Sequence, residues 1–301
     1  MPKATTLLRR MLRSRTFLEL PAVYDPLAAR IAESVGFKSL YNGGFVTGGM
    51  SAISEPLLTM TEQIGVAAEI TRAVKVPLVM DAGAGWGEPL HTMRTVRECI
   101  RAGIAGVHIE DQLFPKRAHY HTYIAHNIPR PEYRDKIALA CRQRDETDKD
   151  FVIIARSDAC REQGFSEAIA RMHIAADAGA DMGLIFPRDH KEAVKTPKLA
   201  RLPMIYVQSR GNRDGRPDYS YDELKDMGYA GCIDAILAVG VHYHFLLEAF
   251  AELKQTGDYG GISKEAFVAA RKGVEDLIGL EEYYRIERAT VEKGRRRGRK
   301  R

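Results

Sequence analysis

Eight short, nearly unbroken apolar runs, each followed by a longer stretch with helical spacing, constrain this chain more than any other feature. The strand candidates are Thr16–Val23, Ser39–Val46, Pro77–Asp81, Gly106–Asp111, Phe151–Asp158, Gly183–Pro187, Met204–Ser209 and Cys232–Val239. Runs such as VPLVM and FVIIA lack polar alternation, as strands covered on both faces require. Apolar residues recur at spacings of three and four over Pro26–Val35, Leu90–Ala102, Ser166–Ala178 and His242–Thr256. Thr59 with Glu62, and Ser220 with Glu223, have capping-box spacing ahead of further helices. Strand then helix, repeated, predicts a parallel sheet.

Eight repeats predict an α/β fold of the closed (β/α)8 TIM-type barrel kind rather than an open doubly wound sheet. A dinucleotide-binding open sheet would carry G-x-G-x-x-G after its first strand, where this chain reads AVYDPLAA. The later DAGAGWG has the wrong glycine spacing. We therefore expect a barrel domain over residues 1–256, a C-terminal helical extension over 257–292 with helices at Lys264–Leu277 and Glu281–Glu292, and a basic disordered tail over 293–301. The extension is not needed to close a barrel, so it should pack on the body or on a neighbouring subunit.

Charge excludes one class of partner. The formal net charge is +5, but Lys293 to Arg301 carry seven basic residues and no acid, so the remainder stands at −2. The basicity belongs to the tail, and the body offers no evident nucleic-acid surface. The four cysteines, Cys99, Cys141, Cys160 and Cys232, are far apart and form no C-x-x-C pair, which argues against a disulfide framework or a zinc site. No apolar run spans a bilayer, so a soluble, cytoplasmic protein is expected. The acid-free start MPKATTLLRRMLRSR has the composition of a transit peptide; the preferred reading is a short helix packing Leu7, Leu8, Met11 and Leu12 on the barrel.

Reactive groups of such barrels lie where strands end. Here those ends read Tyr41, Asn42, Gly43 and Gly44 after strand two, Asp81 after strand three, Glu110 and Asp111 after four, Arg156 to Asp158 after five, and Gln208 to Arg210 after seven. Carboxylates gathered at one mouth repel unless a cation sits among them, and a hard divalent ion such as Mg²⁺ meets that need. Arg156 can pair with a substrate carboxylate in fork geometry. The plainer reading makes Glu110 and Arg156 a structural ion pair.

The stretches LPAVYDPLAARIAESVGF, VPLVMDAGAGWG, RAGIAGVHIEDQLFPKR, FVIIARSDA and AGAD resemble, in this order, the isocitrate lyase and phosphoenolpyruvate mutase superfamily, in its methylisocitrate lyase and oxaloacetate decarboxylase-like branch. The likeness runs over roughly residues 7–280. It implies a Mg²⁺ (or Mn²⁺) ion held directly by Asp81, with Glu110 and Glu55 reaching it through water. It implies a substrate carboxylate clamped by the amides at Gly43 and Gly44 with Arg156, flanked by Tyr41, Asn42 and Gln208. Lys116 would ride a gating loop. Relatives assemble as dimers of dimers with exchanged C-terminal helices, which implies a homotetramer.

Three departures accompany the likeness. Gly83 replaces the second aspartate of the D-A-D-x-G-x-G loop, and GLIFPRDH offers Phe186 or Arg188 where a strand-six glutamate is expected. The gating loop reads KRAHYH instead of K-R-C-G-H, so Ala118 cannot donate a proton; His119, Tyr120 and His121 are the candidate acids. His108 is read as packing near the barrel, and Trp86 as a pocket wall. The expected function is Mg-dependent C–C cleavage or decarboxylation of a small 2-oxo or 2-hydroxy (di)carboxylic acid through an enolate. The alternatives are a non-catalytic carboxylate-binding barrel or a phosphonate-processing enzyme, the latter ranked lower because the mutases' Asn-Ser pair after P-K is absent.

Overall fold

The computed structural model describes residues 2–117, 126–212 and 215–293. Its eight strands are β1 (Leu18–Pro21), β2 (Leu40–Asn42), β3 (Leu78–Asp81), β4 (Gly106–Glu110), β5 (Val152–Ser157), β6 (Met182–Ile185), β7 (Met204–Gln208) and β8 (Gly231–Asp234). All neighbours are parallel, in the order β1-β8-β7-β6-β5-β4-β3-β2. The ring closes through a single bridge between Ala22 and Tyr41, reinforced where the Val23 amide donates to the Tyr41 carbonyl at 2.8 Å. The expected TIM-type barrel is what the chain forms.

Helix α1 (Ala4–Arg13) precedes β1, and helices fill the crossovers: α2 (Pro26–Ser34), α3 (Gly44–Met50), α4 (Met60–Ala73), α5 (Pro89–Arg101), α6 (Arg130–Thr147) and α7 (Ala159–Glu162). The crossover helices continue with α8 (Phe165–Asp177), α9 (His190–Leu199) and α10 (Tyr221–Met227), and α11 (Leu237–Thr256), α12 (Lys264–Leu277) and α13 (Leu280–Ala289) follow β8. Both predicted capping boxes are formed, Thr59 with Glu62 and Ser220 with Glu223.

Strand alternation sorts the core into two shells. Leu18, Leu20, Val79, Val152, Ile154, Leu184, Ile205 and Ile233 fill the barrel interior. Leu40, Leu78, Met80, Val107, Ile109, Ile153 and Tyr206 face outward to the helices. Helix α1 plugs the end where the strands begin. Its Leu8 is fully buried in the interior shell, with Ala4, Met11 and Leu12 packed around it. Arg9 Nη2 donates to the Phe151 carbonyl at 2.7 Å, just ahead of β5.

Two strand readings need correction. The segment Ser39–Val46 leaves the sheet at Asn42 and enters α3, because the chain has to turn sharply into a crowded corner. A Cβ on Gly48 would stand 2.9 Å from both the Glu55 amide nitrogen and the Ile53 carbonyl oxygen. Likewise Cys232–Val239 ends as a strand at Asp234, whose Oδ1 accepts from the Leu237 amide at 3.2 Å and starts α11.

The chain divides into two compact units, Met1–Val241 and His242–Arg301. Helices α11, α12 and α13 contain no buried residue. Tyr243, Phe245, Leu247, Phe250 and Val268 are each more than half exposed. Among the described residues no helix is long and apolar enough to cross a membrane.

All four cysteines are buried and unpaired. Burial pushes the Cys99 thiol up, and takes those of Cys141, Cys160 and Cys232 to about 12. The thiolate is the reactive form. A chromogenic disulfide reagent at pH 8 should therefore find no fast thiol in the native protein and all four after unfolding in guanidinium; rapid native reaction would contradict this packing.

Candidate active site

Alternation along β3, β4 and β5 aims Asp81, Glu110 and Arg156 inward at the ends of their strands, and register places Glu110 beside Arg156. All three are buried. Arg156 Nη1 lies 3.2 Å from Glu110 Oε2 and 3.8 Å from Asp81 Oδ2. Its opposite edge is tied to Asp158, with Nε donating to Oδ1 at 3.1 Å and Nη2 to Oδ2 at 3.2 Å. Asp158 also accepts from Gln112 Nε2. The guanidinium sits 4.8 Å over the Phe186 ring, whose centroid Arg216 approaches at the same distance.

Lys116 follows β4 and joins the same cluster. Its Nζ donates to Glu55 Oε1 at 2.5 Å and to Glu110 Oε2 at 3.3 Å. Among the described residues Glu110 Oε1 has no hydrogen-bond partner, although Lys116 Nζ stands 3.2 Å away. Glu55 reaches this place because α3 runs close beneath it: a Cβ on Gly44 would lie 2.6 Å from Glu55 Cγ. The Gly44 amide faces Asp81 Oδ2 at 3.4 Å, and the Gly83 amide donates to Asp81 Oδ1 at 2.8 Å.

The loop after Asp81 is held in an unusual shape. Gly85 takes φ +75°, and a Cβ there would fall 2.3 Å from Thr92 Oγ1, so no other residue fits. Lys136 on α6 donates to the Ala84 carbonyl at 2.9 Å, and Trp86 Nε1 to the Leu58 carbonyl at 3.0 Å. Trp86 thus walls the pocket, a small space of about 40 Å³ lined also by Glu55, Asp81 and Lys116. A larger cavity, of about 660 Å³, lies at the other end of the barrel. Volume does not single out a candidate site here; the convergence of buried charge does.

Beneath the carboxylates lies His108, two residues before Glu110 and on the same face of β4. Its Nε2 is 2.7 Å from Tyr41 Oη, and its Nδ1 is 3.5 Å from Asp81 Oδ1. Burial pushes its pKa down to about 4, so the ring is neutral at pH 7. With Tyr41 donating to Nε2, the proton of the neutral ring lies on Nδ1, which faces Asp81 but makes no hydrogen bond among the described residues. Burial alone would raise Asp81, but His108, Arg156, Lys116 and the Gly83 amide hold it well below the usual carboxylate range. Burial pushes Glu110 up to about 7 against the opposing pull of Lys116 and Arg156. Lys116 is raised by Glu110 and Glu55 in spite of its burial and stays protonated.

Among the described residues, four carboxyl groups, Asp81, Glu55, Glu110 and Asp158, thus face two permanent cations, Arg156 and Lys116. Fully ionised, they leave two negative charges in excess. Among the described residues no three His, Cys, Asp or Glu side chains converge tightly enough to hold an ion by themselves. An ion here would keep several waters, as Mg²⁺ does. The oxygen-only donors, the charge excess and the unpartnered Glu110 Oε1 fit that group.

The family described as phosphoenolpyruvate phosphomutase matches residues 8–254. The chain belongs to this family. It is 31% identical to the 2-methylisocitrate lyase of Aeropyrum pernix over 92% of its own length and 87% of the relative's. The solved structure of oxaloacetate acetylhydrolase in complex with the inhibitor 3,3-difluorooxalacetate superposes with a TM-score of 0.86 at 28% identity, over 96% of this chain and 97% of that one. A phosphonopyruvate hydrolase complex with oxalate and Mg²⁺ superposes with a TM-score of 0.83 at 25% identity, over 96% and 100%.

Within this family frame, Asp81, Glu110, Glu55, Arg156, Lys116, Gly44 and Tyr41 come together, with Gly43 capping α3. Two expected site residues stand apart. Asn42 turns outward, where Nδ2 donates to the Val23 carbonyl at 2.9 Å and to Thr47 Oγ1 at 3.1 Å, and Oδ1 accepts from Gln63 Nε2 at 2.8 Å. Gln208 accepts from the Tyr219 amide at 2.8 Å. His119, Tyr120 and His121 lie outside the described residues. Arg188 is half exposed and paired with Glu192. Asp111 faces away from the mouth, accepting from Ser157 Oγ at 2.5 Å and Arg171 Nη1 at 3.2 Å. Sequence reasoning singled out Asp158 as a strand end but not its pairing with Arg156, and it read His108 only as packing; period-two spacing from Glu110 would have placed His108 in the same inward line.

Since every polar atom of the Asn42 side chain is spent inside the fold, Asn42→Ala should lower the unfolding free energy by about 2 kcal/mol in urea melts. Unchanged stability together with lost ligand binding would show instead that Asn42 serves the substrate.

Proposed function

We propose that this chain is a divalent-cation-dependent enzyme that breaks a carbon–carbon bond, by cleavage or decarboxylation, in a small 2-oxo or 2-hydroxy (di)carboxylic acid. The observation that carries this reading is the buried meeting of Asp81, Glu110, Glu55, Arg156 and Lys116 at one barrel mouth, with more acid than base. The family relation supports it, as does the Mg²⁺ bound by the phosphonopyruvate hydrolase.

Asp81 would hold the cation directly, with Glu110 and Glu55 reaching it through water. When bound, Mg²⁺ or Mn²⁺ supplies Lewis acidity to a substrate carboxylate and 2-oxygen, where enolate charge develops. Arg156, one edge locked by Asp158, presents Nη1 to the substrate carboxylate, and the amides at Gly43 and Gly44 complete that grip. Tyr41 spends its proton on His108 and so acts by orienting the ring that faces Asp81. Lys116, kept protonated, holds positive charge beside the reacting acid and helps exclude water. Gln208 acts at one remove, through the segment around Tyr219.

Ala118 leaves no thiol on the loop after Lys116, and the buried cysteines cannot replace it. The proton for the enolate carbon is proposed to come from His119, Tyr120 or His121. A barrel that grips carboxylates without chemistry is the second reading, favoured by Gly83, which offers no side chain toward the cation.

A screen of short 2-oxo and 2-hydroxy diacids with Mg²⁺ or Mn²⁺ should release pyruvate or a similar 2-oxo acid. Asp81→Ala should then lower kcat/KM by at least about a thousandfold. Unchanged turnover would sink the mechanism; calorimetric binding of these acids with no product over days would favour the second reading.

We further propose that a second copy of this chain covers the exposed apolar residues of α11–α13, making a homodimer or homotetramer. Monomeric soluble proteins rarely leave such a surface bare. Light scattering at micromolar concentration should report a multiple of 33.6 kDa; a monomer would overturn this.

A further inference from the structure

The arginine-rich start of the chain is not used by the proposed reaction, yet it lines a sizeable cavity in the barrel unit. That space, about 660 Å³, opens where the strands begin, at the end opposite Asp81 and Arg156. Arg9, Arg13 and Arg15 approach it from α1 and the turn that follows, Arg144 from the end of α6, and Lys149 from the turn before β5. Among the described residues of the lining, only Asp145 and Asp181 oppose these five cations.

Both acids are already engaged. Asp181 accepts from Arg9 Nη1 at 2.5 Å, from Arg144 Nη1 at 2.9 Å and from the Ile153 amide at 2.9 Å. Asp145 accepts from Arg144 Nε at 2.8 Å. Arg13, Arg15 and Lys149 make no ion pair among the described residues and are exposed. A surplus of three positive charges therefore faces a concave space with an apolar side formed by Leu12, Leu18 and Met182.

Arg15 adds an independent sign. Its backbone takes φ +54°, a conformation that costs a residue with a Cβ stability and that glycine or asparagine would tolerate better. The strain is held by the Arg15 amide donating to the Leu12 carbonyl and the Thr16 amide to the Met11 carbonyl, each at 3.0 Å. The turn thereby carries a guanidinium into the cavity lining.

We propose that this cavity binds a small multivalent anion, of the diphosphate or tricarboxylate class, between Arg13, Arg15 and Lys149. The volume lies within the range of small-molecule sites, and guanidinium groups suit either oxyanion. A polynucleotide would call for a groove or stripe open at both ends rather than a pocket. The occupied site would fasten the turn after α1 to the turn before β5.

The full-length protein, free of divalent metal, is titrated calorimetrically with inorganic pyrophosphate and, separately, with citrate, at matched ionic strength. The triple variant Arg13→Ala, Arg15→Ala, Lys149→Ala should bind at least one of them at least about tenfold more weakly, at about twofold to threefold per charge removed. Anions held at Arg156 would be unaffected, so they appear as the binding that survives in the variant. Which anion loses affinity identifies the ligand class. Lys149→Glu, at an exposed turn, serves as the second variant, and circular dichroism confirms that both fold. Equal affinity in wild type and folded variants, or no binding of either anion by the wild type, overturns the proposal.

Discussion

Mutual neutralisation of buried charge is the constraint on which the site depends. Arg156 and Lys116 sit in a barrel mouth that denies them bulk water, and each is held by more than one carboxylate. Removing one partner from such an arrangement leaves an uncompensated buried charge, which costs far more than a surface ion pair is worth. Neutralisation is still incomplete: among the described residues acids outnumber bases, and burial, against the pull of Lys116 and Arg156, pushes the Glu110 carboxyl up to about 7.

The barrel makes this possible by separating tasks along each strand. On β5, Val152 and Ile154 fill the interior while Arg156, two residues further, reaches the mouth. On β4, Gly106, His108 and Glu110 follow the same inward line, so a packed bottom becomes a polar top within five residues. The outward set, Val107, Ile109 and Ile153, glues the strands to the helices. The polar groups at the mouth therefore weaken neither apolar shell.

Much of this was legible in the sequence because strand ends are chemically marked. Asp81, Glu110 and Arg156 each close an apolar run, and that alone assembles the centre. Lys116 and Glu55 were placed by resemblance, since nothing in their local spacing says that they meet. Asn42 shows where the reading failed. In a strand of only three residues, Leu40–Asn42, one position decides which side chain looks into the barrel, and local pattern did not settle that Tyr41 takes the inner face. The β2 and β8 boundaries failed for a related reason: apolar residues such as Phe45, Val46 and Leu237 continue past the strand into a helix, and composition is blind to the turn between them.

The same logic separates the two ends of the molecule. At the mouth, cations are outnumbered by carboxylates and the surplus is negative; at the floor, Arg9 and Arg144 saturate Asp181 and the surplus is positive. Electrostatics of opposite sign at opposite ends cannot come from net charge, which is small apart from the tail, but only from the placement of individual residues. The N-terminal helix is central to that placement. By burying Leu8 among the interior residues it commits Arg9 to the Asp181 carboxylate, and by ending at Arg13 it releases the next turn to carry Arg15 into the cavity lining. One amphipathic helix thus both completes the barrel's apolar floor and gives that floor its charge.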